Sequence, residues 1–116
     1  MPKDKNQVLL EGLVGTDAKF GKTQDGKEYF TFSLCINSYD KELGDSTERT
    51  HSQTYCRIFI YDRKQLEYIK RVNIHGNSRV YVYGRLSSFK TERKGIEFMA
   101  MNVICRDIGL VKTKEE

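Results

Sequence analysis

Residues 54–86, TYCRIFIYDRKQLEYIKRVNIHGNSRVYVYGRL, decide the fold class. They read as a strand, a short helix and a second strand. In 54–62, Cys56, Ile58 and Ile60 fall on one side of a period-two pattern, and Tyr55, Arg57, Phe59 and Tyr61 fall on the other. Asp62 then offers an N-cap, Leu66, Ile69 and Val72 recur at helical spacing, and Gly76 is the expected stop. In RVYVYGRL (79–86), Val80, Val82 and Leu86 are expected to face inward. Arg79, Tyr81, Tyr83 and Arg85 face outward, with Gly84 at a bend.

The flanking sequence adds only strands and turns. QVLLEGLVG (7–15) reads as a strand that bends at Gly12 or Gly15. The polar stretch TDAKFGKTQDGKE follows, and its Asp25-Gly26 pair is a hairpin signal. YFTFSLCIN (29–37) sets Phe30, Phe32, Leu34 and Ile36 against Thr31, Ser33 and Cys35. Residues 38–53 are polar and without periodicity, a long loop or a mobile hairpin extension. SSFKTERKG (87–95) reads as a basic hairpin tip and IEFMAMNVIC (96–105) as a last strand. Three strands, one helix and two strands predict an all-β, OB-type Greek-key barrel of five strands, with one short α-helix between strands three and four. A single domain over 1–110 and a short polar tail at 111–116 are expected.

Composition narrows the function classes. The 116 residues are 38% apolar, enough for one small core. No apolar run reaches a membrane span and no apolar leader follows the N-terminus, so no membrane partner and a cytoplasmic, nucleoid-associated location are expected. Cys35, Cys56 and Cys105 form no paired-thiol spacing, and His51 and His75 lie far from one, so neither metal nor cofactor is expected and the thiols read as free and buried. Asp and Glu are scattered, the histidines lack a nucleophile nearby, and GLVGTDAKFGK lacks the spacing of a phosphate-binding loop. The expectation is a protein that is not an enzyme.

Charge placement points to a partner. The net charge is +4, yet residues 57–94 carry ten basic and three acidic side chains. In that stretch the aromatics interleave with the cations. Rings stack on bases whatever the base, at about 1–3 kcal/mol each, and guanidinium groups pair with phosphate. Tyr55, Arg57, Phe59 and Tyr61 therefore read as a nucleobase platform. Packing of Phe59 and one tyrosine under a loop or a partner subunit is the alternative. Arg85 is assigned to nucleic acid, with Phe89, Lys90, Arg93 and Lys94 on the basic tip and Tyr39 standing out in the acidic loop. Tyr81 and Tyr83 are assigned to a subunit contact.

The ordered set of segments resembles the bacterial-type single-stranded DNA-binding protein family over about residues 6–108. NQVLLEGLVGTDAKF is similar to that family's first strand and FTFSLCIN to its second. TYCRIFIYDRKQLEYIKR is similar to its strand-to-helix segment, where Trp is usual at Tyr55 and Phe at Tyr61. HGNSRVYVYGRL is similar to its KG-x-x-V-x-V-x-G-x-L signature, with His75 in place of Lys. The resemblance implies an OB fold, coating of single-stranded DNA with little sequence preference in replication, repair or recombination, and a homotetramer built from dimers. It puts base stacking at Tyr39, Tyr55, Tyr61 and Phe89, a phosphate contact at Arg57, and a subunit contact that includes Val8 and Leu10. The chain has no Trp and ends at VKTKEE. A tail-less or truncated member is therefore expected, with replication proteins as further partners. An adaptor of the primosomal type, working through protein contacts, and an RNA-binding OB module are the alternatives.

Overall fold

Ile58 and Ile60 are fully buried while Tyr55 is exposed, so the alternation at 54–60 does divide a core face from a solvent face. The computed structural model describes residues 4–41 and 49–111, with the backbone alone at 39–41 and 49–51. The elements are β1 (Val8–Val14), β2 (Lys19–Lys22), β3 (Glu28–Lys41), β4 (Arg49–Ile60), α1 (Arg63–Val72), β5 (Arg79–Arg93) and β6 (Ile96–Leu110).

The sheet runs β1-β5-β6-β4-β3-β2, and β1 closes it by also pairing with β3. β1 and β2 are two halves of one barrel strand. The end of β1 pairs Leu13 with Cys35 and Val14 with Leu34, and β2 continues along β3 from Lys19–Thr31 to Lys22–Glu28. The break falls at Gly15–Ala18, where the Gly15 N–H bonds to the Ser33 carbonyl at 2.8 Å. The result is a closed five-stranded barrel, an OB fold, in which β4 and β6 form the parallel pair. Its core is built from Phe30, Phe32, Leu34, Ile58, Ile60, Val80, Val82 and Val103, among others.

The helix begins where its cap predicts. The Asp62 carboxylate accepts the Gln65 N–H at 3.3 Å. It ends earlier than Gly76, at Asn73, which takes the left-handed conformation (φ 60°) while its N–H bonds to Ile69. Asn is the residue after Gly that best tolerates that conformation. Leu66 and Ile69 enter the core. Gln65 and the Tyr68 hydroxyl tie the helix to β6 by accepting the N–H groups of Ile108 and Leu110, each at 3.0 Å.

The strands run past their expected ends. Backbone pairing of β3 with β4 extends to Lys41–Arg49, so of the two readings of 38–53 the hairpin extension is the one found, and residues 42–48 lie outside the described residues. β5 and β6 likewise pair out to Arg93–Ile96. The basic tip is thereby reduced to a two-residue turn, Lys94 and Gly95, with φ of 52° and 79°, the pair of positive values that a tight hairpin turn needs. Leu86 keeps the inward orientation of Val80 and Val82 but sits where the hairpin leaves the barrel, and it is 39% exposed. The Asn6 side chain both donates to and accepts from the Leu86 backbone at 2.9 and 2.8 Å, fixing the N-terminal segment beside β5.

Of the three free thiols only Cys105 is buried. Burial pushes it up to about 12. Cys56 is half-buried beside the core, and Cys35 is half-buried on the outer face.

Candidate nucleic-acid interface

Register puts the outward residues of β3 and β4 side by side. Cys35 lies opposite Tyr55, Ser33 opposite Arg57 and Thr31 opposite Phe59. Phe59 and Tyr61 stack nearly parallel, with centroids 6.2 Å apart and planes 9° from each other. Tyr29, at the start of β3, tilts against both, at 6.0 Å from Phe59 and 5.9 Å from Tyr61. Three rings thus form one cluster, with Arg57 and then Tyr55 further along β4. Tyr55 is 66% exposed and Tyr61 43%.

Tyr29 was missed by sequence reasoning, and Phe59 was read as part of the platform face while the family resemblance left it out of the stacking residues. The signal for Tyr29 was present, because the alternation of 29–37 places residue 29 with 31, 33 and 35.

Arg57 is already engaged. Its guanidinium pairs with Asp17 at 2.9 Å. Asp17 in turn accepts the Ser33 N–H at 3.0 Å and the Ser33 hydroxyl at 2.8 Å. Partial burial pushes this carboxyl up, but the two Ser33 hydrogen bonds and the Arg57 charge together outweigh it and hold Asp17 below its ordinary value. The break between β1 and β2 delivers Asp17 to this face. A phosphate arriving at Arg57 must share the cation with Asp17. Asp17→Asn keeps an acceptor for Ser33 and removes the competing charge. It should raise affinity for an anionic strand by up to about fivefold, the worth of one exposed ion pair at about 0.2–1 kcal/mol, measured by titration at fixed salt.

The Tyr55 hydroxyl donates to Gln53 Oε1 at 3.3 Å, and the Cys35 side chain beside it pushes the phenol above its ordinary value.

The parallel pairing extends this face to β6, since Phe59 aligns with Ile104, and then to β5, since Ile104 aligns with Arg85. Arg85 is exposed there. Farther out along the hairpin, Phe89 (43% exposed) lies opposite Ala100, and Arg93 lies opposite Ile96 on the same side. Lys90 points to the other side, opposite Met99, and Lys94 sits in the turn. The side chain of Tyr39 lies outside the described residues; its backbone pairs with His51.

The residues assigned to a subunit contact divide. Val8 and Leu10 are not outward: they pack half-buried against the core. The residue between them, Leu9, is 72% exposed and lies opposite Tyr83. Tyr81 and Tyr83 do lie on the outer side of β5, where the Tyr81 hydroxyl donates to Asp107 at 3.2 Å and its ring covers Gly109. Nearby, Arg79 pairs with Glu11 at 3.3 Å. Among the described residues no three His, Cys, Asp or Glu side chains converge as a metal site would need, and no helix is long and apolar enough to cross a membrane.

Solved structures with the same fold include the one described as Plasmodium falciparum SSB complex with ssDNA. It matches with a TM-score of 0.83 at 23% identity, over 97% of this chain and 99% of that one. A small single-stranded DNA-binding protein from Streptomyces coelicolor matches with a TM-score of 0.66 at 18% identity, over 90% of this chain and 93% of that one. The mitochondrial single-stranded DNA binding protein Rim1 from S. cerevisiae matches at 0.68 and 16%, over 94% and 97%. At these identities the likeness concerns the fold. Membership rests on the sequence: the model of the Single-strand binding protein family matches residues 5–111, the whole barrel, and the chain belongs to that family.

Proposed function

We propose that the chain binds and coats single-stranded DNA with little sequence preference, using the outer face of β3, β4 and β6 as a stacking platform. The observation that carries this reading is the ring cluster of Tyr29, Phe59 and Tyr61 beside Arg57 and the exposed Tyr55. A solvent-facing sheet surface is ordinarily polar, and rings left there have no core to fill. Bases stack on Tyr55, Tyr61 and Phe89, and on Tyr39 at the β3–β4 hairpin. Phosphates pair with Arg57, Arg85, Lys90, Arg93 and Lys94. Family membership supports the same reading.

Such a protein coats DNA exposed during replication, repair or recombination, without chemistry of its own, in the cytoplasm. We assign self-association, as a dimer or a tetramer, to the outer side of β1 and β5, where Leu9 meets Tyr83. Replication proteins are its further partners.

Titration of tyrosine fluorescence with oligo-dT at several salt concentrations tests the binding. Each neutralised phosphate of a single strand contributes a slope of about −0.7 in log K against log salt, so five contacts predict a slope of about −3.5. Quenching with a slope of that size is expected. Binding that ignores salt, or micromolar and weaker binding at low salt, would contradict the reading.

A further inference from the structure

The ring cluster does not end at open solvent. Tyr61 also lines a cleft of about 560 Å³ between the β2–β3 hairpin and α1. The hairpin contributes Lys22 and Lys27. The helix contributes Arg63, Leu66, Glu67 and Lys70, which recur every three or four residues and so share one face. Leu66 is nearly buried.

The charges within the cleft are unequal. Lys70 is spoken for: it pairs with Glu28 at 2.9 Å and lies over the Phe20 ring at 5.2 Å. Lys22, Lys27 and Arg63 have no salt bridge among the described residues. Glu67 is the remaining acid of the lining. Asp25, on the turn beyond, partly offsets Lys27 while its carboxylate is hydrogen bonded to the Thr23 hydroxyl. Three cations against one acid, beginning at the last ring of the platform, make an anion path that continues the aromatic one.

We propose that this cleft is a second segment of the strand-binding path, in which the sugar-phosphate backbone of the nucleotides beyond Tyr61 lies against Lys22, Lys27 and Arg63. The proposal rests on the single-stranded DNA reading. It adds a contact that Tyr55, Tyr61 and the β5–β6 hairpin do not make. The platform holds bases and the phosphates beside them and the cleft holds only phosphates further along, so its contribution appears only on strands long enough to reach both.

An oligo-dT length series from 4 to 16 nucleotides tests it, with the wild type, Lys22→Ala/Lys27→Ala, Arg63→Ala and Lys64→Ala. Lys64 neighbours Arg63 and is exposed, but does not line the cleft. Removing two phosphate contacts lowers the salt slope by about 1.4, a loss of roughly tenfold or more at 0.1 M salt. The double variant should show that loss with 16 nucleotides and bind the shortest measurable strand like the wild type. Arg63→Ala should show about half the slope change, and Lys64→Ala should match the wild type. Equal losses at every length, no loss at 16 nucleotides, or a Lys64→Ala effect equal to that of Arg63→Ala would overturn the cleft alone. Absence of oligo-dT binding by the wild type would overturn the platform reading as well.

Discussion

Replacing Gly84 by Ala is expected to cost about 3 kcal/mol of folding stability, read as a lowered urea midpoint. Gly84 lies on the core-facing side of β5 at a register shift between β5 and β6. A Cβ there would run into the backbone of the neighbouring strand, meeting the Ile104 carbonyl and lying 3.0 Å from the Cys105 Cα. Neither is a flexible side-chain end that can swing away, so β6 itself must move. Inserting a methyl into a packed interior typically costs 1–3 kcal/mol and more where backbone must shift. Gly95 is the control. Its Cβ would meet nothing within 4 Å, but its φ of 79° belongs to the left-handed region. Gly95→Ala therefore costs about 1–2 kcal/mol of conformational strain, and it is confined to the hairpin turn. If the two substitutions cost the same, close approach of β5 and β6 is not what Gly84 provides. Gly12 plays the matching role on β1, where a Cβ would strike the Cys35 carbonyl of β3. The two glycines let neighbouring strands, β5 with β6 and β1 with β3 where the barrel closes, approach more closely than side chains permit.

The double substitution Tyr55→Ala/Tyr61→Ala should weaken oligo-dT binding by about 2–6 kcal/mol, from roughly 30-fold to above 10⁴-fold, because each ring is worth about 1–3 kcal/mol of stacking. Both side chains are exposed and neither belongs to the core, so the barrel should keep its unfolding midpoint. The salt slope should stay near that of the wild type, since no cation is removed. That separates stacking from charge. A large loss of affinity with an unchanged slope supports the platform, and a loss below threefold contradicts it. Tyr61 belongs to a three-ring cluster, so its loss also leaves Phe59 and Tyr29 less constrained. The pair of substitutions is therefore expected to be non-additive.

The sequence was most legible where one face of a strand meets the core. Alternation at 54–60 assigned Cys56, Ile58 and Ile60 to the inner side and the aromatic row to the outer, and the barrel has them so. It was least legible where a hairpin leaves the barrel. In 88–93 neither face of the β5 ribbon is buried, so no apolar period is written there, although the strand goes on pairing with β6, as the backbones of β3 and β4 do past residue 38. The helix start was readable from Asp62, but its end was misplaced. Gly76 is the stronger stop signal, yet it serves another contact, since a Cβ there would sit 3.1 Å from the Thr16 Cα. On β1, loose alternation left the sides of Val8, Leu9 and Leu10 open, and register against β5 decides them. The Asp17–Arg57 pair joins residues 40 positions apart and leaves no trace in any local pattern. The Tyr29 ring was within reach of the same alternation that assigned Thr31 and Ser33.

Photocrosslinking to an oligo-dT strand carrying iodouracil tests the central claim most directly, because crosslinks form where a base lies against a ring. Crosslinked peptides containing Tyr55, Phe59 and Tyr61 are expected, and they should be lost on competition with unmodified oligo-dT. Crosslinks confined to the β1–β5 side, at Tyr81 or Tyr83, would contradict the claim.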